Sequence, residues 1–404
     1  MDSKNVIAAI ALSSAVIVLY SLFFVPEKPN NVQNITEKNK IEKNAEAPSL
    51  DQKDTFVKIS RDEALKENGR IKFENDSIIG SISLKGAAID DLTFKGYNTT
   101  LDSNKKVTLL SPRNIENGYL IESGFVTSDK NIDIPNSESI WSAKGNNDLS
   151  YQSPIKLSWT NKQGLTFEKE ISLDKKFLFT IKQSVINSTN NKYDFYSYGQ
   201  IIRNKIPEIS NFYILHEGLI ATLDDELIEE DYDDIQEKKF SRNAQKGWLG
   251  IGDKYWITSL IPPKDKEFKT TFDYKKKFRA NYIATEPLLL NKNDKIEEEL
   301  KIIVAAKRVD VIDGYADTLN IDKFDLAIDW GFLYFITKPL FFGIDYFFKL
   351  FGNYGLAIIA ITICIRLAFF PLANFSFRSM AKMKALQPEM VRLKELHKND
   401  KMKL

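Results

Sequence analysis

The stretch that decides the fold is IKLSWTNKQGLTFEKEISLDKKFLFTIKQSV, residues 155–185. Apolar residues alternate with polar ones in three short runs, and turn-forming segments at 161–164 and 174–176 separate the runs. A period of two is typical of strands that bury one face. The stretch therefore predicts three strands of an antiparallel meander. The alternating apolar residues are Ile155, Leu157, Trp159, Leu165, Phe167, Ile171, Leu173, Phe177, Phe179, Ile181 and Val185.

Similar runs recur outward from this stretch, at 71–84, 193–202 and 298–305, and no long helical pattern appears before 309–319. The chain has 404 residues, of which 43% are hydrophobic and 27% charged, a balance that excludes a wholly disordered protein. We therefore predict a mainly β fold, with one large antiparallel β-sandwich over residues 55–320.

Few residues of this β region suggest chemistry. His216 is its one histidine, which excludes a three-His metal site there and favours a structural role. The acidic segment 224–234 lacks the Asn/Asp and Gly positions of a calcium-binding EF-hand, so we predict a solvated loop. The glycines of 247–252 have the wrong order for a dinucleotide motif, and close strand packing explains them as well.

The N-terminus contains an uncharged run of spanning length, Val6–Val25. A cleaved signal peptide would usually have a shorter apolar region and a small-residue cleavage site, so an uncleaved membrane anchor over residues 1–26 is the better interpretation. Residues 27–54 are polar and rich in Asn, Lys, Glu and Pro, which predicts a flexible tether.

The composition changes near residue 324, because residues 324–377 hold 12 of the 27 phenylalanines. Lys338, Asp345 and Lys349 fall on one side of a helix whose other sides are aromatic. We predict an interfacial amphipathic helix within 321–353, which Pro339 should break or restart. The alternative is an ordinary core helix of the β region.

Residues 354–373 form a second stretch of spanning length that contains a single charge, Arg366. An arginine that faces lipid at mid-depth costs about 2.5–3.5 kcal/mol, so Arg366 should face protein or water. The alternative is that its side chain extends to the membrane boundary. Cys364 cannot form an internal disulfide, since it is the single cysteine, and is most simply an apolar filler.

Residues 374–404 carry 8 basic and 3 acidic side chains, whereas residues 26–330 carry 44 basic and 50 acidic ones. Positive charge marks the cytoplasmic side of a span, so both ends of the chain should be cytoplasmic and the β region outside. The tail starts an amphipathic helix that stops in mid-pattern at Leu404. We therefore expect this sequence to be the N-terminal part of a longer protein.

Three segments carry a resemblance to a known family: FDLAIDWGFLYFITKPLF (324–341), GNYGLAIIAITICIRLAFFPL (352–372) and SMAKMKALQPEM (379–390). They resemble the YidC family of bacterial membrane protein insertases, and the order of anchor, tether, β domain, amphipathic helix, arginine-bearing span and basic helix agrees as well. The resemblance implies a multi-pass protein of the bacterial inner membrane with a periplasmic domain of the β-supersandwich type.

In this family several spans enclose a hydrophilic groove that holds one arginine, which Arg366 matches. Thr362 matches a family position proposed to contact the passing segment, while Phe370 stands where many members carry Tyr. The implied function is non-enzymatic insertion and folding of nascent membrane proteins, without cofactor or nucleotide. The implied partners are membrane lipids, a Sec translocon and the ribosome, with no nucleic-acid sequence recognised. With one groove-forming span, these 404 residues alone should not insert substrates.

Two other functions stay open at this point. One is a membrane-anchored carbohydrate-binding or sugar-modifying β-sandwich, in which His216 and a carboxylate would share a cleft. The other is a periplasmic scaffold that assists a translocon. Arg366 discriminates among the three, because only an insertase should need it.

Overall fold

The computed structural model describes residues 48, 59–67, 69–145, 148–207, 216–331 and 333–396. These residues belong to one compact unit, 45–404. The predicted anchor Val6–Val25 lies outside the described residues, as do the tether 27–54 apart from Pro48 and the tail beyond residue 396.

Strands dominate the described residues up to 306, as the sequence predicts. Numbered in chain order, the strands are β1 Arg70–Glu74, β2 Ile78–Ser83, β3 Ala88–Asn98, β4 Lys106–Leu110, β5 Tyr119–Val126, β6 Ser142–Lys144, β7 Asp148–Leu149, β8 Ile155–Thr160, β9 Leu165–Leu173, β10 Leu178–Asn187, β11 Tyr193–Arg203, β12 Gly218–Leu223, β13 Glu226–Asp231, β14 Phe240–Ala244, β15 Gly247–Gly252, β16 Trp256–Ile261, β17 Phe268–Tyr274, β18 Phe278–Ala284, β19 Leu288–Leu290 and β20 Lys295–Ala306. The helices are α1 Arg61–Ala64, α2 Tyr232–Glu237, α3 Val309–Leu319, α4 Tyr334–Phe351 and α5 Tyr354–Leu396, with a 3-10 helix at Phe324–Ala327.

The strands form two large sheets. One has the order β14-β17-β18-β11-β5-β3-β2-β1-β7, with β19 added to β11 and β4 added to β3. The other has the order β13-β12-β15-β16-β20-β10-β9-β8-β6. Neighbours are antiparallel, except that β1 and β7 run parallel. Buried side chains from both sheets form one apolar core, so the predicted mainly β sandwich with additional helices is confirmed.

The meander predicted from residues 155–185 is confirmed as β8, β9 and β10. Trp159 pairs with Phe167, and Phe167 pairs in turn with Val185. Phe167 is 1% exposed and Phe179 is fully buried. Full burial of such a side chain is worth about 1.5–3 kcal/mol, which explains why the two-residue period decides the structure here.

The prediction of a solvated acidic loop at 224–234 is wrong. Asp224 and Asp225 form a left-handed turn, but the segment then continues as β13, which pairs with β12, and as helix α2. Tyr232 and Ile235 of α2 are each 2% exposed. These apolar residues give the segment a buried side, which its many carboxylates conceal in the sequence.

The glycine-rich segment 247–252 is strand β15, so close strand packing explains its glycines. A Cβ atom at Gly250 would lie 2.2 Å from the carbonyl oxygen of Thr258 on β16. Trp248 of the same strand is fully buried and meets Phe324 edge-on, with ring centroids 5.1 Å apart. The 3-10 helix that precedes α4 is thereby fixed in the core of the β domain.

The helix predicted at 309–319 is confirmed as α3, whereas the predicted break at Pro339 is wrong. Helix α4 runs without interruption from Tyr334 to Phe351 and includes Pro339. Pro339 is its sixth residue, so the ring removes one backbone bond, to the carbonyl of Phe335, close to an end where donors already lack helical partners. Helix α5 likewise continues past residue 373, where we expected the span to give way to the tail.

Lys169 is a buried cation in the core between the sheets. Lys169 lies on β9 and is 2% exposed. Its Nζ donates to the carbonyl of Ser123, on β5 of the other sheet, at 2.7 Å. The same Nζ lies 5.1 Å from the ring centroid of Trp141. Burial lowers the pKa of Lys169 to about 8, an effect that the charge of Glu122 partly opposes.

We predict that the stability of the β domain rises with pH through Lys169. The ordinary pKa of a lysine is 10.5, so between about pH 8 and 10.5 the unfolded chain holds a proton that the folded protein has released. From about pH 7.5 to 9.5 this group should add about 2 kcal/mol to the free energy of unfolding. Urea unfolding followed by tryptophan fluorescence at the two pH values measures it.

Lys169→Met should abolish that gain, and Lys182→Met should preserve it, because Lys182 is exposed on the neighbouring strand β10. Equal pH dependence in the wild type and in Lys169→Met would contradict the assignment.

Candidate functional site

Helix α5 begins at a sharp, well-defined corner after α4. Gly352 adopts a left-handed φ of 66°, and its N–H donates to the carbonyl of Phe348 at 2.7 Å. The side-chain oxygen of Asn353 accepts a hydrogen bond from the N–H of Leu356, as a helix N-cap does. The rings of Phe348 and Tyr354 stack across the corner with centroids 4.1 Å apart. Gly352 and the Asn353 cap therefore determine where α5 starts.

Beyond the corner α4 packs along one side of the first turns of α5. Ala357 is fully buried there, and Ala360 and Ile361 are half-buried, while their neighbours on the helix are exposed. A Cβ atom at Gly343 would lie 2.8 Å from Cδ1 of Ile361, so the glycine permits the close approach. We call Ala357, Ala360 and Ile361 the contact face.

Arg366 lies on the opposite side of α5 from this contact. An α-helix turns by about 100° per residue, which places Arg366 about 180° and Thr362 about 140° from Ala357. Both residues are exposed. Arg366 has no ion-pair partner among residues 48–392 whose side chains the structure describes. We call Thr362 and Arg366 the arginine face.

The hydroxyl of Thr362 is already engaged. It donates to the carbonyl of Ile358, one turn earlier, at 2.7 Å. Thr362 therefore presents an accepting oxygen and a methyl group on the arginine face, rather than a free donor. The structure thus places the two predicted site residues on one exposed side of the helix and leaves their role untested.

The predicted charge stripe of α4 divides into two parts. Asp345 and Lys349 form an ion pair within the helix, at 2.6 Å. Lys338 instead contacts two carboxylates that precede the helix, Asp313 and Asp325.

Sequence reasoning missed both Gly343 and the partners of Lys338. A glycine within an aromatic helix, with small residues at Ala357 and Ala360 in the following span, was the available signal for the helix contact. No local pattern indicates that Lys338 pairs with residues 25 and 13 positions earlier.

The histidine of the β domain serves structure. His216 Nδ1 lies 3.2 Å from Asp231 on the edge strand β13, and Nε2 lies 3.2 Å from the carbonyl of Leu219. Its backbone N–H donates to Asp329, just before α4, at 3.2 Å. His216 and a carboxylate are thus neighbours, but both ring nitrogens have local contacts that hold chain segments together.

One helix among the described residues is long and apolar enough to span a membrane, within Tyr354–Arg392. It contains the predicted second span, 354–373. At about 1.5 Å per residue the 43 residues of α5 measure about 65 Å, twice the thickness of a hydrocarbon core. The helix is therefore longer than a membrane span requires, and the part past residue 374 is basic.

Comparison with known proteins tests the resemblance. The family model described as the YidC periplasmic domain matches residues 70–342, and the model described as 60Kd inner membrane protein matches residues 346–404. The membrane protein insertase YidC of Pelagibacter ubique is 69% identical over the whole chain, which covers 72% of that protein. The insertases YidC of Rickettsia prowazekii and Mesorhizobium japonicum are 39% and 36% identical, over 99% and 100% of the chain and 72% and 71% of their own lengths.

The chain belongs to the YidC family of membrane protein insertases. The predicted family is confirmed, and with it an inner membrane protein whose β domain is the periplasmic one. Among solved structures, a galactose mutarotase related enzyme from Lactobacillus acidophilus is similar over 59% of this chain and 97% of its own, with a TM-score of 0.44 and 11% identity. A likeness at this level supports no argument about the activity.

We predict that α4 shields the contact face in the detergent-solubilised protein. In a Cys364→Ser background, a small lipid-soluble maleimide that partitions into the micelle should label Ala357→Cys roughly tenfold more slowly than Ala368→Cys, since thiol reactivity follows exposure to the reagent. Ala368 is the matched control because it is exposed and lies on the same side of α5, about three turns further on. Gly343→Leu should push α4 away and abolish the difference. Equal labelling rates in the parent background would contradict the helix contact.

Proposed function

We propose that this member of the insertase family inserts nascent membrane proteins, and helps them fold, by way of the arginine face of α5. The observation that supports the proposal is the position of Arg366, exposed and directly opposite the side that α4 covers. A guanidinium on a membrane-spanning helix needs water or a polar partner. A hydrophilic groove on that side, lined by further helices, would supply both.

The chemistry of such a groove is attraction followed by release. A guanidinium in a low-dielectric, water-containing groove attracts carboxylates and polar groups of an incoming chain. The accepting oxygen of Thr362, one turn away, offers a hydrogen bond to a passing backbone N–H. Once the apolar segment of the client reaches lipid, its transfer is favourable by itself, so the mechanism requires neither nucleotide nor cofactor and makes no covalent bond.

The remaining predictions follow from topology and charge. We propose a multi-pass protein with an N-terminal anchor at 1–26, a periplasmic domain at 55–320 and a cytoplasmic basic region at 374–404. Met383, Leu386 and Met390 are exposed beside the basic residues of this region. A helix of this composition suits anionic lipid or ribosomal RNA, and a Sec translocon is the proposed periplasmic and membrane partner.

Arg366→Ala should impair insertion most for clients that carry acidic residues in the translocated tail. For such a client we expect a loss of roughly tenfold, which corresponds to about 1.4 kcal/mol of lost attraction. A client with the same apolar segment and a neutral tail should lose less. Protease protection of both clients, in cells that depend on the full coding sequence carrying the variant, measures the difference.

Two variants serve as controls. Arg366→Lys should retain most of the activity because it keeps the charge. Arg242→Ala should leave insertion unchanged, since Arg242 forms a surface ion pair with Glu226 on the β domain, and such pairs contribute little. Wild-type insertion of both clients by a membrane-integrated Arg366→Ala protein would refute the proposed role.

A further inference from the structure

Helix α4 is held to the β domain by a charge cluster around Lys338. The Nζ of Lys338 lies 2.8 Å from Asp325, in the 3-10 helix, and 3.4 Å from Asp313, on α3. The three side chains are between 23% and 29% exposed, so this cluster is better shielded from water than most surface ion pairs. One cation therefore contacts two carboxylates and reduces the repulsion between them.

An aromatic contact strengthens the same joint. The Nζ of Lys338 lies 5.7 Å from the ring centroid of Trp330, and the indole N–H of Trp330 donates to the carbonyl of Asp325 at 3.2 Å. The hydroxyl of Thr337 donates to the carbonyl of Trp330 at 2.7 Å, and Phe341 meets the Trp330 ring edge-on. Ion pairs, hydrogen bonds and aromatic contacts thus hold the first two turns of α4 against the segment that precedes it.

The carboxylates of this joint belong to rigid parts of the β domain. Asp325 stands between Phe324 and Ala327, which are both fully buried, and Phe324 packs against Trp248 of β15. Asp313 follows Ile312 of α3, which is fully buried as well. Lys338 therefore connects α4 to the core of the sandwich.

The later part of α4 holds the helix that carries Arg366. Gly343 meets Ile361, and Phe348 stacks on Tyr354, so α4 contacts both the β domain and the first turns of α5. Ile361 directly precedes Thr362, the first residue of the arginine face. A displacement of α4 would therefore act on α5 within two turns of Arg366.

We propose that α4 is a rigid bracket between the periplasmic domain and the arginine-bearing span. Lys338 is the positioning residue that fixes the orientation of α4 on the periplasmic domain. The outer domain then keeps one orientation above the membrane rather than moving freely on its connection. Through the bracket it fixes the rotation of α5, and hence the direction in which Arg366 points. The consequence for insertion rests on the proposed function of Arg366, whereas the geometry does not.

The experiment measures the joint in the full protein. Spin labels at Leu289→Cys on β19 and Tyr346→Cys on α4, both exposed positions, are introduced in a Cys364→Ser background in lipid nanodiscs. The wild type should give one narrow distance distribution. Lys338→Gln should at least double its width and lower client insertion about threefold, and Lys338→Arg should restore both.

Lys349→Gln is the matched control, because it removes the same charge from the same helix while its partner, Asp345, lies on α4 itself. It should change neither readout. A label pair within the β domain, at Lys182 and Leu289, should keep its distance in every variant, which separates loosening of the joint from unfolding.

A distribution as narrow in Lys338→Gln as in the wild type would overturn the bracket. A broadened distribution with unchanged insertion would overturn the positioning role. The distances are measured without a client, so they do not depend on the result for Arg366→Ala. If Arg366→Ala is inactive and the Lys338→Gln distribution stays narrow, only the bracket is refuted. An active Arg366→Ala protein with a broadened one refutes the arginine mechanism, and with it the positioning role, leaving the bracket as geometry.

Discussion

The constraint on which the rest of the structure depends is that a guanidinium in an apolar helix must not face lipid. In α5 that requirement concerns Arg366. Because α4 covers the opposite side of the helix, the proposed hydrophilic groove would have to lie on the arginine face. The contact face consists of small and aliphatic residues, which pack against another helix without polar bonds. One side of α5 thus provides attachment, and the proposed insertion chemistry would use the other side.

The attachment depends on the large β domain. Its two sheets bury a continuous core that reaches Trp248, and Phe324 carries that core into the segment before α4. The ion pairs of Lys338 then attach α4 to this segment and to α3. The β domain has no evident catalytic arrangement among its described residues. Under the proposed bracket its role is physical, because a rigid domain attached to α4 would limit how α5 can rotate.

Much of the fold could be predicted because burial follows a simple period there. The alternation in residues 155–185 identifies three strands, and the same alternation places Lys169 on the buried face, a consequence that a count of apolar residues alone overlooks. The acidic segment misled for the converse reason, since charge concealed the buried Tyr232. Pro339 misled because the loss of one backbone bond near the start of α4 does not break the helix.

The candidate site was predictable as a residue but not as a surface. A single charge in a span of apolar residues identifies Arg366, and spacing places Thr362 on the same side. The position of α4 on the opposite side depends on Gly343 and on the ion pairs of Lys338 with residues distant in sequence. The hydrophobic period of the sequence does not predict such contacts.

The most direct test of the account is a site-specific photo-crosslinking scan along α5 from residue 355 to residue 370, with a stalled client chain bound to the full protein in membranes. The account predicts client adducts from the side that includes Thr362, Arg366 and Phe369, recurring every three or four residues, and none from Ala357, Ile361 or Cys364. Adducts spread evenly around the helix, or centred on Ala357 and Ile361, would contradict it.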